Sequence, residues 1–121
     1  MGGIFLNKRA IGSEYEKRAA AYLEQCGMCI LEYNYRIRSG EIDLIARDGR
    51  YLVFVEVKYR ANSHLGTPLE AVDARKQKTI VRTAQCYLLQ HGYSAETPCR
   101  FDVIGIDGEQ ITHVKDAFWG G

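Results

Sequence analysis

The run Gly40-Glu41-Ile42-Asp43-Leu44-Ile45-Ala46-Arg47-Asp48-Gly49-Arg50-Tyr51-Leu52-Val53-Phe54-Val55-Glu56-Val57-Lys58-Tyr59-Arg60 decides the fold. Two apolar, β-branched stretches flank Asp48-Gly49, and Asp-Gly between alternating stretches signals a hairpin closed by a two-residue turn. With Asp48 and Gly49 as the turn residues, Arg47 pairs with Arg50, Leu44 with Val53, Asp43 with Phe54, Ile42 with Val55 and Glu41 with Glu56. Successive side chains point to opposite faces, so Ile42, Leu44, Val53, Val55 and Val57 form one wholly apolar face. The other face carries Ile45, Leu52 and Phe54 near the turn, and Glu41, Asp43, Glu56 and Lys58 away from it. Like charges set opposite each other destabilise a sheet, so this grouping invites a counter-ion. Clustered hard oxygen ligands suit Mg²⁺ or Mn²⁺, which use a few carboxylates and keep several waters. A solvated polar edge is the ordinary reading of charge on a hairpin. Phe54 and Leu52 beside the acids imply instead that this face is covered.

On the N-terminal side, Tyr15, Ala19, Tyr22, Leu23 and Cys26 recur at helical spacing, which predicts a helix over 13–26 closed by Gly27. Ser13 and Glu16 have the spacing of a capping box, which gives Glu16 a structural job. Residues 1–11 lack periodicity and read as a flexible basic arm, not as a signal peptide, since their basic residues follow the apolar patch. Residues 28–38 form a strand, and Arg36 and Arg38 share its parity, either as phosphate contacts or as a solvated edge.

On the C-terminal side, residues 60–67 form a loop containing His64, a lone loop histidine. Thr67-Pro68-Leu69-Glu70 has an N-cap, a proline at the first helical position and a glutamate partner, so a helix is predicted from there to about Gln90. Its buried stripe is Leu69, Val72, Ile80, Ala84, Tyr87 and Leu88, and Lys76 interrupts it. A lysine there must snorkel or point at something negative, and the acidic cluster is at hand. Lys76 and its neighbour Gln77 are therefore weaker site candidates. Residues 98–106 and 110–114 are strands, and Ala117-Phe118-Trp119 docks the end of the chain. The order is α-β-β-β-α-β-β, with residues 12–121 as one domain.

At 121 residues, with 46% apolar and 26% charged residues, the chain supports one core. A net charge of +1 argues neither for nor against nucleic acid. Basic residues nevertheless crowd the central hairpin, at Arg36, Arg38, Arg47, Arg50, Lys58 and Arg60. No apolar run is long enough to span a membrane. Cys26-Gly27-Met28-Cys29 has the spacing of redox and zinc motifs but no matching second pair, so reduced structural cysteines in a cytoplasmic protein are expected.

Asp43 on one strand with Glu56-Val57-Lys58 on the next resembles the core of the PD-(D/E)XK nuclease superfamily. The wording of Gly40 to Ile45 and of Val53 to Lys58 is similar to the YraN-like family of bacterial proteins, itself similar in fold to archaeal Holliday-junction resolvases. Asn34-Tyr35-Arg36 and Arg100-Phe101-Asp102-Val103 extend the resemblance, which covers about residues 12–118. It implies a restriction-endonuclease-like α/β core, a central mixed β-sheet flanked by two main helices. It also implies that the first-helix glutamate points at the active site. Glu16, with Ala19, Leu23 and Gly27 after it, matches that spacing, although Tyr15 stands where the family usually has glycine.

The expected function is Mg²⁺- or Mn²⁺-dependent hydrolysis of DNA phosphodiesters. Asp43, Glu56, Lys58 and Glu16 are the catalytic set, and Asp43, Glu56 and Glu41 the metal set. Arg36, Arg38, Arg60, Lys76 and Gln77 are the substrate contacts. Branched or structured DNA is the substrate class implied by the resemblance, and a homodimer is left open. The alternatives are a module on the same fold that binds nucleic acid without cutting, and a scaffold in which Cys26 and Cys29 matter.

Overall fold

A computed structural model describes residues 3–59 and 72–118 of the chain. The elements are α1 (Gly3–Gln25), β1 (Cys29–Ile37), β2 (Gly40–Asp48), β3 (Tyr51–Tyr59), α2 (Ala74–Gln90), β4 (Cys99–Asp107) and β5 (Gln110–Val114). The strands form one mixed sheet in the order β1-β2-β3-β4-β5. Only the β3–β4 pair is parallel, and α2 lies in that connection, because parallel neighbours need a crossover. This is the α/β architecture and element order expected from the sequence, consistent with a restriction-endonuclease-like core.

Each face of the sheet is covered by one helix. Ala19, Ala20 and Leu23 of α1 pack on Leu44, Ala46, Val53, Val55, Ile104 and Ile106. Ile80, Ala84 and Tyr87 of α2 pack on Ile45, Leu52, Phe54, Phe101 and Val103. Strand β3 thus alternates, with Leu52 and Phe54 toward α2 and Val53 and Val55 toward α1, so it is apolar on both sides as a central strand must be. No helix among the described residues is long and apolar enough to cross a membrane.

Three expectations change. Helix α1 begins at Gly3, so residues 3–12 are helical where an arm is predicted. A single glycine such as Gly12 costs a helix only about 1 kcal/mol, too little to stop it. Ser13 therefore lies inside the helix, and the capping-box role for Glu16 falls away. Helix α2 begins at Ala74 and not at Thr67, because Asp73 is extended and its Oδ1 accepts the Lys76 N–H at 2.8 Å. Thr67 to Glu70, with Arg60 and His64, lie outside the described residues.

The third change is the hairpin register. Asp48 pairs with Tyr51, Arg47 with Leu52, Ala46 with Val53, Ile45 with Phe54 and Leu44 with Val55. The turn residues are Gly49 and Arg50, with Gly49 at φ +61° and Arg50 at ordinary negative φ. That is the Gly-first form of hairpin turn, whose twist suits the strands as well as the Asp-Gly form does. The slip is two residues, so β3 keeps its predicted faces while its partners on β2 change.

At the far end of the sheet Asp102 is fully buried, with the Arg100 guanidinium at 3.0 and 3.1 Å, His113 Nε2 at 2.7 Å and the Asp116 N–H at 3.0 Å. Burial pushes its carboxyl up, but these partners together hold it below the usual range. Phe118 stacks on Phe101 with centroids 5.2 Å apart, so the chain end docks on the core as predicted. Trp119 is outside the described residues.

Gly40 sets how closely α2 approaches the β1–β2 turn. A Cβ there would lie 2.5 Å from Thr83 Oγ1 and 2.6 Å from Thr79 Cγ2. Thr83 cannot yield freely, since its hydroxyl donates to Thr79 O at 2.7 Å. Gly40→Ala is expected to lower stability by about 1–3 kcal/mol and to draw α2 away from the sheet, as urea denaturation would report.

Candidate active site

Strand β2 changes parity at Asp43. Ile42 packs in the α2-side core and Leu44 in the α1-side core, although residues two apart on a regular strand share a face. Ile42 was expected to share a face with Leu44, Val53 and Val55; the break at Asp43 turns it to the other side. Across from it, Asn34 of β1 has φ +51°, a left-handed conformation that asparagine tolerates better than most residues. The β1–β2 ladder pairs Tyr33 with Leu44 and Tyr35 with Ile42 but skips the pair between them, and the β2–β3 ladder stops at Leu44 and Val55. The strands therefore part at Asp43. In the gap, Asp43 Oδ2 accepts the Val57 N–H of β3 at 2.8 Å, taking the place of the missing ladder bond.

Glu56 stands beside this gap on the α2 side, only 4% exposed. Its Oε2 is 3.3 Å from Lys58 Nζ and 3.6 Å from Lys76 Nζ. Among the described residues its buried Oε1 has no hydrogen-bond partner. Lys76 thus reaches from the first turn of α2 to the acidic cluster, the alternative to snorkelling into solvent. Burial, then the neighbouring Glu56 charge, pushes the Asp43 carboxyl up to about 8, with smaller upward pushes from Glu16 and Glu41. The Val57 hydrogen bond opposes the rise without cancelling it.

Glu16 approaches from α1, where its Oε1 accepts Asn34 Nδ2 at 2.8 Å. Asn34, the first residue of the Asn34-Tyr35-Arg36 motif, both permits the kink and holds Glu16 there. An asparagine inside a strand is the local signal of such a site. Glu41 is not brought opposite Glu56, because the register slip moves it. It faces Arg36 at 3.9 Å and is half-exposed. Arg36 and Arg38 are exposed and line a cleft of roughly 330 Å³ with Ser39, Gly40, Lys76 and Thr79. Gln77 is turned inward, its Nε2 donating to Val72 O at 2.9 Å, so its amide supports the start of α2.

The donor set suits a hard divalent cation held loosely. Two carboxylates meet in a partly desolvated gap, one with an unpartnered oxygen and the other with a proton affinity raised by burial and then by the neighbouring Glu56 charge. Among the described residues no three His, Cys, Asp or Glu side chains form a ready metal cage. A cation such as Mg²⁺, which keeps several waters and accepts substrate phosphate oxygens, fits such a site better than zinc does. Among the described residues, the exposed Cys26 and Cys29 likewise meet no further pair of ligands for structural zinc.

A sequence profile described as "Uncharacterised protein family UPF0102" matches residues 15–106. A UPF0102 protein of Lachnoclostridium phytofermentans is 50% identical over 113 residues, 93% of this chain and 96% of that protein. One from Chlorobium chlorochromatii is 49% identical over 119 residues, covering 90% and 91% of the two chains. One from Pectobacterium carotovorum is 42% identical over 114 residues, covering 93% and 97%.

Proposed function

We propose that this chain, which belongs to the UPF0102 family, is a Mg²⁺- or Mn²⁺-dependent nuclease that hydrolyses DNA phosphodiesters. The observation that carries the reading is the pairing of Asp43 and Glu56 where β2 and β3 part, with Glu56 Oε1 unpartnered and Asp43 pushed up to about 8. A protein has no folding reason to bury two repelling carboxylates together, because each desolvated charge costs stability. A divalent cation offsets that cost. Asp43 and Glu56 would hold it, and when bound it would polarise the phosphate and acidify water.

The protein's own groups do the rest. Lys58 extends from the same strand face as Glu56, and its ammonium donates to the attacking water or to the phosphate oxygens as charge builds. Lys76, fixed by the first turn of α2, adds a second positive charge on the same side. Glu16 repels Asp43 and keeps the gap attractive to cations. Arg36 and Arg38 hold backbone phosphates in the adjoining cleft without reading bases.

A module that binds DNA without cutting is the alternative, and one observation favours it: Glu56 already has two ammonium partners. Incubation with branched, flapped and linear DNA, each with Mg²⁺, Mn²⁺ or EDTA, separates the two. The nuclease reading expects cleavage with either metal and none with EDTA. Tight binding without cleavage under every metal would establish the module instead.

A further inference from the structure

We infer that Tyr59, seated on Tyr15, is a stacking platform for an unpaired base, so that the DNA strand entering the site is single-stranded there. Tyr59 ends β3 and directly follows Lys58. Its ring stacks on Tyr15 of α1 with centroids 4.2 Å apart and planes 29° from parallel. The Arg18 guanidinium lies 5.9 Å from the Tyr15 ring centre. The series Arg18, Tyr15, Tyr59 ends on a residue that is 51% exposed. Here one face is fixed by Tyr15 while half the residue stays open to solvent.

Such an arrangement is already ordered, so a base that stacks on it loses little side-chain freedom. Every base has a π-face, and exposed rings beside a basic groove are how proteins hold single strands without reading sequence. A groove with three basic residues is present on the other flank, where Arg36, Arg38 and Lys76 line the cleft under the β1–β2 turn together with one acid, Glu41. A strand would rest a base on Tyr59 on the α1 side of the sheet, pass round the end of β3 to bring a phosphate to Lys58 on the α2 side, and run its backbone on toward Arg38. In a continuous duplex that base stays stacked between its neighbours. Flaps, gaps and single strands are therefore the substrates this surface favours. The inference rests on the nuclease reading for the position of the cleaved phosphate.

Its test needs no cleavage. The full chain is titrated in EDTA with DNA carrying 2-aminopurine, as a single strand, as a flapped duplex and as a blunt duplex. Quenching of the probe is expected for the first two. Tyr59→Leu, which keeps apolar contact with Tyr15, should weaken both by about fivefold or more, the low end for loss of one base–aromatic stack. Tyr59→Phe should bind as the parent chain does. Blunt-duplex affinity should be unchanged in either variant. The inference fails if Tyr59→Leu binds single strands normally, if it weakens blunt duplex equally, or if the parent chain binds no single strand. A chain that never cuts DNA but gives the expected quenching would retain the platform and lose the nuclease.

Discussion

Lys58→Ala is expected to slow metal-dependent DNA cleavage about 10²–10³-fold, the scale for removing one group that stabilises developing charge. The loss should fall on kcat with KM nearly unchanged, because the ammonium acts on the transition state and the bound DNA is held elsewhere. Metal affinity should also survive, since Lys58 repels the cation and does not hold it. Glu56 would keep Lys76 at 3.6 Å, so the variant should fold. Lys58→Arg should restore little, because a planar fork does not occupy the place of a compact ammonium. Asp43→Ala differs in kind, since it should lose both cleavage and metal binding. Single-turnover cleavage beside metal titration separates the two patterns. Full activity in Lys58→Ala would remove the residue from the mechanism.

The second large effect is on stability. Asp43 ionises near 3.8 in an unfolded chain and near 8 in the folded one. Between these values the folded chain holds a proton that the unfolded chain has released, so stability falls as pH rises through the window and levels above about 8. A full shift of this size would correspond to about 6 kcal/mol, and the solvent that still reaches Asp43 reduces it to roughly 2–3 kcal/mol. Asp43→Asn keeps an oxygen for the Val57 N–H and removes the charge. It should therefore melt roughly 5–10 °C above the parent at pH 8 without metal, and no higher than the parent near pH 4. Mg²⁺ should raise the parent's melting temperature, more so at higher pH, and leave Asp43→Asn unmoved. A parent and variant with parallel pH profiles would show that Asp43 carries no such burden.

Much of this fold could be read in the chain because its strands are long and their apolar residues alternate. The β2–β3 hairpin and the strands β4 and β5 follow from runs such as Val53-Phe54-Val55 and Phe101-Asp102-Val103, whereas the parallel pairing of β3 with β4 is seen only in the packed sheet. The register did not follow, since Asp48-Gly49 and Gly49-Arg50 are both good two-residue turns and only the packed sheet chooses between them. Because the slip is even, β3 keeps its predicted faces, with Glu56 and Lys58 on one side; in α2 the periodicity places Ile80, Ala84 and Tyr87 inward, while Val72 precedes the helix and Leu69 lies outside the described residues. The parity break at Asp43 does not follow from alternation, which assumes a regular strand; its one local sign is Asn34 across the ladder. Neither helix starts at the predicted cap. Ser13 lies inside α1 because the residues before it also take helical form, and Asp73 caps α2, while Thr67 lies outside the described residues. Lys76 was legible as a misfit in an apolar stripe, and its partner Glu56 explains the misfit. Tyr59 carried no signal in sequence, because only the fold brings Tyr15 beneath it.

The most direct measurement is the anomalous difference map of a crystal of the full chain grown with Mn²⁺, collected at the manganese edge. One peak is predicted within coordination distance of carboxylate oxygens from both Asp43 and Glu56, and it should vanish in Asp43→Asn. A map with no peak there, or with manganese bound only at other residues, would contradict the account.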